Sequence, residues 1–111
     1  MRRSQPKRDW SRIQTDKDTP CRVCGSIGRT ERAHIAGRVY DRRNSWVVDP
    51  DAIVPLCGPT PGGCHGAYDR GDLDLLPYLT TAEQARAVLD LGSIETARIK
   101  LSPSDYRQEA A

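Results

Sequence analysis

Between residues 80 and 101 apolar residues recur at helical spacing. "TTAEQARAVLDLG" opens with a capping box, Thr80 to Glu83, and stops at Gly92, which predicts one helix with Ala85, Val88, Leu89 and Leu91 as its apolar stripe. "SIETARIKL" restarts with Ser93 as N-cap and places Ile94, Ala97 and Leu101 on a rough apolar face that Arg98 interrupts; "SPS" is predicted to end it. Upstream the period shortens. "RTERAHIAGRVY" alternates in part and predicts a strand over 31–36, and the β-branched run "AIVPLC" predicts a second. "GPTPGG" between them and the next element is a loop, and "CHGAYDRG" is long enough for a short helix that stops at Gly71.

This order predicts an α+β fold in three parts: a flexible basic arm over 1–18 from which Trp10 and Ile13 can dock, a core over 19–75, and a helical extension over 76–111 whose two helices pack on that core. A chain of 111 residues is one domain by size. It is 37% hydrophobic and 29% charged and has no Phe, a thin core for its length, so a staple is expected. No apolar run is long enough to cross a membrane, and the basic opening lacks the apolar stretch of a secretory signal. The expected setting is therefore the reducing cytoplasm, where thiols bind metal more readily than they form disulfides.

Charge is unevenly spread. Residues 1–48 carry 12 Lys and Arg against 5 Asp and Glu, whereas 49–111 carry 5 against 10. The first half reads as a phosphate-facing surface and the second as solvated helices.

The four cysteines are Cys21 and Cys24 in "CRVCG", then Cys57 and Cys64 astride the proline-glycine loop. Two turns that each bring a pair of thiols make a tetrahedral structural zinc site. A disulfide pair or four unrelated buried thiols are the rival readings. His65 follows Cys64 directly, and Asp69 stands four residues later, one helical turn on and on the same face. If Cys64 faces the zinc, His65 and Asp69 turn elsewhere together, where a histidine and a carboxylate can hold a second, harder divalent cation.

"CRVC", "RAHI", "IVPLC" and "CHGAYDRG", in this order over roughly residues 21–71, resemble the HNH endonuclease family, in particular its small zinc-stapled bacterial and phage members. The resemblance implies a ββα-metal core stapled by structural zinc at Cys21, Cys24, Cys57 and Cys64. It implies His34 as the general base that takes a proton from the attacking water, and His65 with Asp69 as ligands of a catalytic Mg²⁺, Mn²⁺ or other divalent cation. Two positions depart from the family pattern: Ala33 stands where a further metal ligand often precedes the base, and Ala52 where the middle Asn is expected. Asp51 or Asn44 are the nearby residues able to take over from that Asn.

The expected activity is metal-dependent hydrolysis of DNA phosphodiester bonds with low sequence specificity. Histidine suits the base because it titrates near neutral pH. Arg38, Arg42 and Arg43 follow the base and are expected to grip neighbouring phosphates. DNA is the expected partner, with a larger phage or bacterial protein complex for targeting. Two other readings use the same residues: a non-catalytic zinc module that binds nucleic acid or protein, and a structural zinc domain whose C-terminal helices mediate assembly.

Overall fold

The computed structural model describes residues 9–37 and 48–110. Its elements are β1 (Thr30–His34), β2 (Ile53–Cys57), α1 (Gly63–Asp69), α2 (Thr81–Leu91), α3 (Ile94–Leu101) and α4 (Pro103–Ala110), with short 3₁₀ turns at Pro50–Ala52 and Leu76–Tyr78. The strands pair antiparallel, with Thr30 opposite Cys57 and His34 opposite Ile53. Among the described residues no helix is long and apolar enough to cross a membrane.

β1 ends at His34, two residues short of the predicted strand. Ile35 and Ala36 bend inward instead and are buried, and Gly37 turns the chain at φ +96°. The reason lies in α1: Tyr68 is fully buried and its hydroxyl donates to the Ile35 carbonyl, which draws that segment off the strand. Burial pushes the Tyr68 phenol up, with the Asp69 charge adding to it. The core around this contact includes Ala33, Ile35, Val54, Leu56, Tyr68, Leu75, Ala87, Ala97 and Leu101, together with Cys21 and Leu79. Both strands feed it, and all the helices but α4 contribute a side chain.

The capping box of α2 forms as the sequence predicts, with Thr80 Oγ1 accepting from the Glu83 amide at 3.1 Å and Gly92 closing the helix at φ +92°. Its apolar stripe lies only in part where expected: Val88 and Leu91 pack against the core. Leu89 is 75% exposed and Ala85 is also exposed. The buried face runs through Glu83 and Ala87, with Val88 and Leu91 packed beside it. That rotation goes with Glu83, whose buried carboxylate pairs with Arg22 of the cysteine knuckle. On α3, Ala97 and Leu101 are buried as expected, whereas Ile94 is 70% exposed.

"SPS" ends α3 as predicted, with Ser102 as its C-cap, and it also starts a third helix in the extension that the sequence did not predict. Pro103 occupies the first turn of α4, where its missing amide hydrogen breaks no helical bond. Asp74 supplies the cap from a distant segment, accepting from the Ser104 amide at 3.0 Å and from the Ser104 hydroxyl. Of the stretch read as a flexible arm, residues 9–18 run along the core. Val48 donates to the Asp9 carbonyl at 2.8 Å, Gly28 to Lys17 at 2.8 Å, and Arg32 Nε to Thr15 at 3.0 Å.

Candidate metal centre

The knuckle at Cys21–Gly25 is tied by two backbone hydrogen bonds, the Cys21 amide donating to the Ser26 carbonyl and the Gly25 amide to the Cys21 carbonyl, both at 2.9 Å. The Arg22 amide donates to the Pro55 carbonyl at 2.9 Å and so fixes the knuckle beside β2. Cys57 ends that strand and Cys64 lies in the first turn of α1. The loop between them folds back tightly. Gly63 sits at φ +66°, where an added Cβ would lie 2.3 Å from the Cys57 carbonyl oxygen, and a Cβ on Gly66 would lie 1.8 Å from that of Pro61.

This folding brings the four Sγ atoms within 4.8 Å of one another. Cys24 and Cys57 are 3.6 Å apart. A zinc–sulfur bond of about 2.3 Å in a tetrahedron sets neighbouring sulfurs about 3.8 Å apart, so the donor set fits such an ion. The four cysteines can hold a metal ion such as zinc. All four are free thiols rather than disulfides.

The sulfur environment is uneven. The Ser26 hydroxyl, then its amide, lowers the Cys24 thiol to about 6. For Cys21 burial opposes ionisation, but hydrogen bonds from the backbone of Cys24, Cys57 and Val23 outweigh it and the thiol is lowered. Burial first, then the crowding sulfurs, pushes Cys64 strongly up. Clustered thiols that cannot all ionise alone can do so around a cation, which is why metal binding releases protons.

His65 and Asp69 lie one turn apart on α1, with His65 Nε2 and Asp69 Oδ2 3.7 Å apart. That is too long for a hydrogen bond. Donors sharing a cation at about 2.1 Å lie roughly 3.0–3.4 Å apart, closer than this pair stands.

The other nitrogen of His65 meets residues that sequence reasoning missed. Glu31 Oε1 and Thr60 Oγ1 each lie 2.8 Å from Nδ1. Thr60 also donates to Glu31 Oε1 from its hydroxyl at 2.6 Å and from its amide at 3.1 Å. The Thr60 hydroxyl, followed by His65, holds the Glu31 carboxyl below the usual carboxylate range. Strand alternation carried the available signal: Glu31 and Ala33 share one face of β1, and Ala33 is wholly buried in the core.

No family model, curated protein or solved structure matches this chain.

His34 lies on the other face of β1 with Arg32. Both turn to Trp10, His34 edge-on at 5.7 Å between ring centroids and Arg32 over the indole at 5.1 Å. The chain then bends back towards α1, so that Ala36 lines a groove of about 470 Å³ with Tyr68, Asp69, Arg70 and Lys100. Ala52 is buried and Asp51 exposed, its amide donating to Asp49 at 2.9 Å. The predicted phosphate grips Arg38, Arg42 and Arg43, with Asn44, lie outside the described residues.

Proposed function

We propose that this chain is a metal-dependent DNA endonuclease of the HNH type, a zinc-stapled ββα-metal unit that hydrolyses phosphodiester bonds. The observation that carries the reading is the set of His65: its Nδ1 is engaged by Glu31 while Nε2 turns to Asp69 at 3.7 Å. A histidine that serves only to fill space has no need of carboxylates at both nitrogens. When bound, a cation there supplies Lewis-acid stabilisation of the phosphoryl and leaving 3′ oxygens. His65 and Asp69 orient that charge, and His34 takes the proton of the attacking water. Arg70 and Lys100 line the groove beside Asp69 and add positive charge where flanking phosphates would lie. Contacts of this kind weaken with added salt and read little sequence.

A second reading, a non-catalytic zinc module that binds nucleic acid or protein, draws support from His34. The proposed base sits on the face of β1 opposite Glu31, against Trp10, and two family positions hold Ala33 and Ala52. Supercoiled-plasmid cleavage with Mg²⁺ or Mn²⁺ decides between the two. Wild type is compared with His34→Ala and His65→Ala, each confirmed folded and zinc-loaded. The endonuclease reading expects nicking that falls at least about 100-fold in His34→Ala, the lower range of general-base contributions. DNA binding without cleavage by wild type selects the binding module. Equal cleavage by all three proteins removes both histidines from the mechanism.

A further inference from the structure

One oxygen, Glu31 Oε1, gathers the Thr60 amide, the Thr60 hydroxyl and His65 Nδ1. An ionised carboxylate accepts hydrogen bonds and cannot donate them. A ring nitrogen 2.8 Å from it therefore carries the hydrogen. In a neutral imidazole the second nitrogen then presents its lone pair, and here that nitrogen is Nε2, on the side of Asp69. The ring is well enclosed, with 18% of its side chain exposed, so it has little freedom to turn over.

We infer that Glu31 is a positioning residue that fixes His65 in its Nδ1–H form and so presents Nε2, together with Asp69, to a hard divalent cation. The inference rests on the metal site of the endonuclease reading and adds to it a residue from a different element. A carboxylate on the far nitrogen of a ligating histidine sets the tautomer and raises ligand basicity, and losing such a partner lowers metal affinity about 10–100-fold. The register of β1 explains why Glu31 has this place. Glu31 and Ala33 point towards the same side, Ala33 has no donor atom, and the carboxylate two residues upstream reaches α1 at the nitrogen nearest the zinc loop. Glu31 also holds that loop through Thr60, so a test must separate orientation of the ring from support of the loop.

Imidazole nitrogen NMR on the zinc-loaded protein at pH 8 reads the His65 tautomer directly, and Mn²⁺-induced broadening of the same ring reads affinity at the second site. Wild type is expected in the Nδ1–H form and to bind Mn²⁺ at His65. Glu31→Ala should lose the single tautomer and bind Mn²⁺ 10–100-fold more weakly, with Glu31→Gln between the two. Thr60→Val removes the loop hydroxyl but keeps the carboxylate, and should keep both the tautomer and the Mn²⁺ affinity. A folded Glu31→Ala or Glu31→Gln protein with wild-type tautomer and affinity overturns the inference. So does a Thr60→Val protein that loses both as fully as Glu31→Ala, and so does a wild type with no Mn²⁺ at His65. Plasmid cleavage on the same set distinguishes the two claims. Glu31-dependent tautomer and Mn²⁺ binding without cleavage removes the endonuclease and leaves the inference, whereas cleavage indifferent to Glu31 does the reverse.

Discussion

Arg22 and Glu83 join the cysteine knuckle to the C-terminal helices through two guanidinium–carboxylate contacts, at 2.7 and 3.2 Å. The same carboxylate accepts from the Thr80 amide at 2.8 Å and completes the capping box of α2, while Arg22 Nη1 also donates to the Tyr78 carbonyl at 3.1 Å. One buried acid thus caps a helix and tethers it. The Glu83 side chain is 6% exposed and that of Arg22 33%. Removing the arginine leaves a carboxylate with little water to solvate it, a strong penalty in a fully buried pair and a reduced one here because Arg22 is partly wet. Arg22→Ala is expected to destabilise the fold by about 1–3 kcal/mol in urea denaturation. A change below about 0.5 kcal/mol, the level of an ordinary surface pair, would refute the tether.

The four-cysteine cluster makes a separate prediction. The protein should carry one zinc per chain, released by chelator together with loss of the β1–β2 pairing, because metal-binding energy is folding energy in such sites. Cys57→Ser and Cys64→Ser should behave as the chelated protein does. Circular dichroism and amide dispersion with and without chelator check this; a chelated chain that keeps its native spectrum means the cluster is not a staple.

Gly66 of α1 has no room for a side chain. A methyl there would lie 1.8 Å from the Pro61 carbonyl oxygen, which also accepts from Arg70 Nη1 at 2.7 Å. Gly66→Ala should displace the loop and destabilise by about 1–3 kcal/mol, the usual range for overpacking. It should also release zinc faster than wild type in a chelator competition. Gly71→Ala serves as a comparison, since its φ of +78° brings strain but no neighbour lies within 4 Å.

The docking of α4 depends on pH through Asp74. The Ser104 hydroxyl and then its amide hold this carboxyl below its ordinary 3.8. A group lowered by folding contributes stability that is complete above its unfolded value, about 3.9, and is lost as pH falls through the folded one. Amide protection in α4 is therefore expected to decline as pH drops below about 4. The Ser104 amide shift should titrate with it, and Asp74→Asn should remove that part of the acid response. An Asp74→Asn protein with an unchanged acid profile would place the dependence elsewhere.

What the sequence disclosed was local in origin. The Cys21–Cys24 knuckle, the Thr80–Glu83 box and the stop at Gly92 each depend on residues a few positions apart, and each forms. The inward face of α2 was hidden because a charged residue, Glu83, points to the core while Leu89 points out. Arg22, far upstream, supplies the countercharge for that arrangement, beside the local Thr80 amide. α4 was hidden because "SPS" reads as a stop until Asp74 is seen to cap it. Glu31 was hidden for the same kind of reason. Its partner His65 stands 34 positions away, and spacing alone gives no hint of their meeting.

The loop from Gly58 to Gly62 has a consequence for how this chain tolerates change in length. Surface loops usually accept insertions readily. This one is pinned at Thr60 by Glu31, at Pro61 by Arg70 and Gly66, and at its end by the close pass of Gly63 over Cys57. It behaves as a gauge, and one extra residue would rotate Cys64 and His65 together about the axis of α1. Cys64, one of the four clustered sulfurs, and His65 are thus tied to a single loop length, and insertion cannot move one without moving the other.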